Sequence, residues 1–122
     1  MGWVSPSQLK TMLSEAIATI HISWLDWCPN AMVESVVAGC PVIYSNSGGS
    51  REVGFGYGVG IKDSNWDFKT PCYLYDPPKV DERQMISAMF HLKCNNYKFE
   101  ANKFYISNVA DEYISFFEEV LK

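Results

Sequence analysis

The sequence predicts an α/β fold in which a short, mostly parallel sheet of the Rossmann type is flanked by helices. Segments with the apolar spacing of helices alternate along the chain with short runs rich in β-branched residues. The connections between these segments are short, which is typical of right-handed β-α-β crossovers. The length of 122 residues suits one hydrophobic core. We therefore expect a single domain over residues 1–122.

The first half of the chain supplies two helix-strand pairs. Residues 5–16 begin with a hydroxyl side chain that can cap a helix and continue with apolar residues at helical spacing. Residues 18–24 (ATIHISW) favour a strand, although so short an apolar run also fits a buried helix. A helix over residues 31–38, ended by Gly39, and a strand over 41–45 follow.

The second half begins with a predicted loop over residues 46–52 and a glycine-rich run over 54–60. The run lacks the G-x-G-x-x-G spacing, and a strand-like segment follows it where a phosphate loop would open a helix, so a turn is predicted. A short strand over 72–75 and helices over about 80–94 and 106–122 complete the chain. The last helix carries a wide apolar stripe: Val109, Tyr113, Phe116, Phe117, Val120 and Leu121.

Composition and charge exclude several classes of function. A net charge of -4 and a pI near 5.0 argue against a nucleic-acid partner, which requires clustered basic residues. His21 and His91 are far apart in sequence, so structural roles are expected for both and no metal site is predicted. The cysteine spacing fits neither a metal knuckle nor a disulfide framework, so buried free thiols are expected. These are Cys28, Cys40, Cys72 and Cys94.

The chain carries no secretory signal pattern at its start and no glycosylation sequon. No apolar run approaches the roughly 20 residues that a membrane span needs. A reducing, cytoplasmic setting is therefore expected.

The loops after the two central strands are the predicted site, because ligands of such folds bind beyond the carboxyl ends of the strands. Asp26 and Glu34, with seven residues between them, flank the start of the second predicted helix. A helix start favours a phosphate group, and a carboxylate can accept hydrogen bonds from two vicinal hydroxyls. Gly48 and Gly49, followed by Arg51, allow close backbone approach, and a positive φ is expected at one of the glycines. Taken singly, each residue is more often a turn or solvated residue.

Residues 26–43 (DWCPNAMVESVVAGCPVI) and 47–53 (SGGSREV) together resemble a family pattern. The pattern is two acids separated by seven residues, a small-residue helix ending in A-x-G-x-P-V-I, and an S-x-G-G-x-x-E loop. It resembles the nucleotide-sugar site of the retaining glycosyltransferases of the two-Rossmann-domain (GT-B) type, which include sucrose synthases, glycogen synthases and bacterial mannosyltransferases. The resemblance is specific over residues 24–53 and weaker before and after them.

The resemblance implies a donor nucleoside-diphosphate sugar held by a C-terminal Rossmann domain and an acceptor held by an N-terminal one. Glu34 would then bind the ribose hydroxyls and Asp26 the sugar hydroxyls. The donor is a substrate, and neither cofactor nor metal is implied. The remaining binding residues would be Cys28, Pro29, Asn30, Ala31, Gly48, Gly49 and Arg51, of which Pro29 has no N–H to donate.

Two departures from the family pattern bear on activity. The family usually has Glu where this chain has Asp26, whose carboxylate reaches less far by one methylene. The family's basic Arg-Lys pair, which stabilises the diphosphate leaving group, and its acceptor domain are expected upstream of Met1, so the isolated chain should not transfer sugar.

The terminal helix packs on the acceptor domain in the family, so in this chain its apolar stripe is expected to promote association with a partner chain or a second copy. The alternative function is a non-catalytic nucleotide-sugar-binding or interaction module. A flavodoxin-like or dinucleotide-binding domain would need a glycine fingerprint, which the sequence lacks.

Overall fold

Helices and strands alternate through most of the chain in the computed structural model, which describes residues 3–23, 26–62, 69, 71, 79–95, 97, 99 and 101–121. No helix in these ranges is long and apolar enough to cross a membrane. The elements are α1 (Pro6–Glu15), β1 (Thr19–His21), α2 (Asn30–Val37), β2 (Val42–Ser45), α3 (Gly48–Gly54), β3 (Gly58–Ile61), α4 (Glu82–Cys94), a 3₁₀ turn (Asn102–Phe104) and α5 (Ile106–Val120).

The three strands form one parallel sheet in the order β1-β2-β3. Ile20 lies beside Ile43, which lies beside Val59, so these three side chains share one face of the sheet. All four residues of β2 are buried, as expected for the central strand of a parallel sheet covered on both faces. The predicted α/β fold with a short parallel sheet flanked by helices is thereby confirmed.

Two apolar clusters lie on opposite faces of the sheet. On the α2 face, Met32 and Val36 pack with Val42 and Tyr44 of β2 and with Ala101 beside the 3₁₀ turn. The other cluster comprises Ile43, Ile61, Ala88 and Leu92, which join β2 and β3 to α4. The core is therefore centred on β2, with α2 and α4 as its two covering layers.

Local capping interactions explain where two helices begin. Ser5 accepts a hydrogen bond from the Gln8 N–H while the Gln8 side chain accepts one from the Ser5 N–H, a complete capping box, with Pro6 at the first helical position. Asp81 caps α4 by accepting from the N–H groups of Arg83 and Gln84.

Two predictions for the middle of the chain were wrong. The predicted loop over residues 46–52 contains the start of α3, because Gly49, Ser50 and Gly54 are buried as this glycine-rich segment packs on β2. The predicted turn over 54–60 ends early, since Gly58 already begins β3. A Cβ at Gly58 would overlap the Val42 backbone, so glycine is what allows this strand to approach β2.

The remaining boundaries agree with the sequence to within a few residues. β1 is shorter than the predicted strand over residues 18–24, of which Trp24 lies outside the described residues. The helices predicted from residues 80 and 106 begin at Glu82 and Ile106. The strand predicted over residues 72–75 lies outside the described part of the chain.

The prediction of buried thiols is confirmed for Cys40 and wrong for two other cysteines. Cys28 is exposed because it lies in the loop before α2, and Cys94 is exposed at the last residue of α4. Cys72 lies outside the described residues.

Candidate functional site

The loop between β1 and α2 is organised around the carboxylate of Asp26. Its Oδ2 atom lies 3.1 Å from Nε2 of His21, the last residue of β1. Its Oδ1 atom accepts a hydrogen bond of 3.0 Å from the Cys28 N–H. The Asp26 side chain nevertheless remains 30% exposed. This acid therefore fixes the loop and still presents part of its carboxylate outward.

Gly48 and Gly49 hold the start of α3 against the same loop. Gly48 has a φ of +53°, which confirms the expected positive φ, and a Cβ there would lie 3.2 Å from the Asp26 carbonyl oxygen. The Gly49 N–H donates to that carbonyl oxygen at 2.9 Å, and a Cβ at Gly49 would overlap the Trp27 carbonyl. The close approach predicted for the glycine pair is thus made to the chain's own backbone, and it helps to hold Asp26 in position.

The first turn of α2 offers one backbone donor. The Asn30 N–H donates to the Cys28 carbonyl at 2.8 Å, and the N–H groups of Met32 and Val33 both donate to the Pro29 carbonyl. Among the described residues, none accepts from the Ala31 N–H. Pro29 is buried at the N-cap position, whereas Cys28, Asn30 and Ala31 are exposed. The helix start therefore faces outward with its Ala31 N–H open to an acceptor.

Glu34, one turn into α2, lines a pocket of about 700 Å³ between α1, α2 and the start of α5. The described lining residues are Trp3, Val4, Pro6, Leu9, Lys10, Leu13, Glu34, Val37, Ala38 and Tyr105. The pocket thus combines a carboxylate, an ammonium group and two aromatic side chains, of which Trp3 is 92% exposed. We call it the α1–α2 pocket.

The two predicted acids occupy different parts of the surface. Asp26 is not among the described residues that line the α1–α2 pocket; it precedes the start of α2 and lies beside His21. Arg51 lies on α3, where its positive charge opposes the rise that burial causes in the pKa of the Tyr44 hydroxyl. The structure therefore brings Asp26, Cys28 and the glycine pair together, and places Glu34 in the α1–α2 pocket.

Sequence reasoning did not assign Trp3, Lys10 or Tyr105 to a site. The sequence could have indicated Lys10. It lies next to Leu9 and about one helical turn before Leu13 on α1, and all three residues line the pocket. Tyr105 is distant in sequence, and only the fold brings it to α1. His21 was expected to be structural, and its contact with Asp26 depends on the path of the chain after β1.

Both histidines have partners within the chain. His21 contacts Asp26, and Nε2 of His91 lies 3.1 Å from the Tyr97 hydroxyl. Over the residues that the structure describes, no group of three or more His, Cys, Asp or Glu side chains could hold a metal ion.

Comparison with known proteins leaves the function to be inferred from the chain itself. No family model, curated protein or solved structure matches it. The class that the fold defines is an α/β domain with a three-stranded parallel sheet in its described part.

Proposed function

We propose that the chain is the nucleotide-sugar-binding domain of a retaining glycosyltransferase of the GT-B type. It would hold a nucleoside-diphosphate sugar whose hexose passes to an acceptor bound by another domain. The observation that carries the proposal is the placing of Glu34 in a pocket of about 700 Å³ together with Lys10, Trp3 and Tyr105. That volume is within the usual range for small-molecule sites, about 300 to 1,000 Å³.

The chemistry of the α1–α2 pocket matches the parts of a nucleotide. The Glu34 carboxylate can accept hydrogen bonds from both ribose hydroxyls, as acids do in dinucleotide-binding folds. Trp3 and Tyr105 offer aromatic faces on which a base can stack. The Lys10 ammonium group supplies positive charge for a phosphate. Trp3 and Glu34 are both exposed, so a ligand can reach them.

The start of α2 provides a place for the sugar end of the donor. Its partial positive charge and the open Ala31 N–H favour a phosphate or hydroxyl oxygen. The partly exposed Asp26 carboxylate has lone pairs left for a sugar hydroxyl after its contacts with His21 and Cys28. In this arrangement Asp26 orients the hexose, while His21 keeps the carboxylate from rotating.

Transfer also requires positive charge beside the departing diphosphate, usually a large contribution to catalysis. Lys10 lines the α1–α2 pocket, and Arg51 lies on α3 apart from it. Because the family's basic pair has no counterpart in the sequence, we expect the chain by itself to bind the donor without transferring its sugar.

A non-catalytic nucleotide-sugar-binding module is the second candidate, and one observation favours it. Both Asp26 carboxylate oxygens already have partners in His21 and Cys28. If Asp26 has only a structural role, the Asp26→Asn substitution should not change the difference in affinity between a nucleotide sugar and its free nucleotide. If Asp26 binds the hexose, that difference shrinks.

Isothermal titration calorimetry of a Glu34→Ala variant tests the proposal, with UDP-glucose, GDP-mannose and ADP-glucose as probes. For whichever probe binds, the loss of a charged acceptor should weaken affinity by about 1.5–3 kcal/mol, roughly 10- to 150-fold. Glu82→Ala is the matched control, because Glu82 is an exposed glutamate on α4 that does not line the pocket. Equal affinities of the wild type and the Glu34→Ala variant would remove Glu34 from the site.

A further inference from the structure

Helix α5 presents an apolar surface that nothing else in the described structure covers. It contains no buried residue, and its main contact is with the adjoining 3₁₀ turn. Tyr113, Phe116, Phe117, Val120 and Leu121 are between 55% and 84% exposed. They recur at helical spacing along one side of the helix, so they form a continuous stripe. A stripe of this kind on a folded chain marks an interaction surface.

A second apolar surface that the described residues leave uncovered lies where β1, an edge strand of the described sheet, meets α4. It is a groove of about 500 Å³ lined by Ile17, Ala18, Ile20, Ile43, Ile86, Met89, Phe90 and Lys93. We call it the β1–α4 groove. Parallel sheets are normally covered by helices on both faces, but among the described elements α4 packs on β2 and β3 and leaves Ile20 of β1 half exposed.

Helix α5 starts on the α2 side of the sheet, whereas the groove lies on the α4 side. α5 follows directly from the 3₁₀ turn, which packs with α2, and Ala101 before that turn belongs to the cluster on the α2 face. The groove belongs to the α4 face, where Ile43 is part of the other cluster. For α5 to fill the groove of its own chain, it would have to pass around the edge of the sheet. A helix from a second copy can reach the groove without this rearrangement.

The charges of the two surfaces are complementary. The described part of α5 carries Asp111, Glu112, Glu118 and Glu119 and no Lys or Arg. The groove instead has Lys93 among its lining residues. Pairing α5 with another α5 would bring acidic flanks together, whereas pairing α5 with the groove brings them toward a basic side chain. The charges thus favour the groove over a second α5 as the surface that α5 contacts.

We propose that α5 of one copy of the chain docks in the β1–α4 groove of a second copy, and that the exchange is reciprocal. Each copy carries one stripe and one groove, so a two-fold symmetric dimer covers both pairs of surfaces and leaves none open. The mode of recognition is an amphipathic helix in an apolar groove. The α1–α2 pocket takes no part in this contact, so the dimer is independent of the proposed donor binding.

Sedimentation velocity of the whole chain over micromolar concentrations tests the dimer, with circular dichroism to check the fold of each variant. The wild type should be a dimer. Substituting Phe116 and Phe117 together by Asp removes the stripe, and substituting Met89 and Phe90 together by Asp removes the groove; all four are exposed. Each double variant should be a monomer. A monomeric wild type would overturn the proposal.

Mixing the two double variants distinguishes reciprocal docking from pairing of α5 with itself. One variant keeps an intact groove and the other an intact stripe, so a one-to-one mixture should form a heterodimer weaker than the wild type. If the groove variant is still a dimer on its own, or if the mixture stays monomeric, the proposal is wrong.

Charge reversal provides a further readout. Lys93→Glu should raise the dimer Kd about tenfold or more, because the introduced acid meets the acidic flanks of α5. Lys62→Glu, an exposed lysine outside the groove, is the control and should leave the Kd unchanged. Equal effects of the two substitutions would contradict docking at Lys93.

Discussion

At the scale of single residues, Gly48 and Gly49 join two loops that the sequence separates by 20 residues or more. Gly48 takes a φ of +53°, and Gly49 admits the Trp27 carbonyl into the space that a side chain would fill. The same contact seats Asp26, whose carbonyl accepts from the Gly49 N–H. The glycine pair therefore acts on the candidate site through the position of the Asp26 loop.

Replacing Gly49 by Ala should lower both stability and donor affinity. The added methyl group forces the two loops apart, at a cost of about 1–3 kcal/mol in the free energy of unfolding. Gly56→Ala is the comparison: Gly56 has a φ of +84° but no atom within 4 Å of an added Cβ, so it should lose stability through backbone strain alone and keep its donor affinity. Urea denaturation and calorimetry measure both quantities. A Gly49→Ala variant with unchanged donor affinity would separate the glycine pair from the site.

The pattern of residues in the sequence predicted the glycine pair and the loop acids. It did not predict which residues the acids contact. The positive φ followed from glycine's freedom in a tight turn. The contact between Asp26 and His21 depends on how the chain leaves β1 and cannot be deduced from spacing. Trp3 and Tyr105 meet Glu34 only because residues near both ends of the chain converge on α2.

At the scale of elements, local sequence signals predicted the helices that have capping residues. They did not predict α3, which is stabilised by packing. α1 was predicted from a hydroxyl cap and apolar spacing, and α2 from its composition and a terminal Gly39, whose φ is +81° in the structure. α3 contains three glycines, which individually disfavour a helix, and it forms through its contacts with β2. The start of β3 was predicted too far along the chain, because the glycines of β3 hide the period-two pattern of a strand. The close approach to β2 nevertheless requires a glycine at the first position of β3.

The cap of α4 gives the fold a dependence on acid. Hydrogen bonds from the Gln84 side chain and from the backbone N–H groups of Arg83 and Gln84 lower the pKa of Asp81 below its ordinary value. A depressed folded-state pKa adds stability above the unfolded-state pKa, and this contribution is lost as the pH falls through the folded-state value. The effect should therefore appear below about pH 4.

Comparing Asp81→Asn with the wild type tests this cap. Asn can still accept the backbone hydrogen bonds but does not titrate, so the variant should lose less stability between about pH 4 and pH 2 than the wild type does. Urea midpoints at each pH provide the measurement, and Asp111→Asn in exposed α5 is the control. Parallel pH profiles of the wild type and the Asp81→Asn variant would show that the cap carries no pH-dependent stability.

At the scale of the whole molecule, the two proposed interactions use different parts of the surface. The α1–α2 pocket is built from α1, α2 and the start of α5, whereas the β1–α4 groove opens on the α4 side of the sheet. A variant with both Met89 and Phe90 replaced should therefore lose the dimer and keep donor binding.

Fold class was predictable at this scale because alternation of helix and strand constrains topology. The uncovered faces were not predictable, because they depend on which elements α4 and α5 contact.

A titration of the ¹⁵N-labelled chain followed by NMR tests donor binding directly, with UDP-glucose, GDP-mannose and ADP-glucose as probes and the matching free nucleotides for comparison. Donor binding should produce saturable shifts at the Trp3 indole N–H and at the backbone amides of Lys10 and Glu34. The nucleotide sugar should also shift the Ala31 amide. If none of the probes shifts these signals at millimolar concentration, the chain is not a nucleotide-sugar-binding domain.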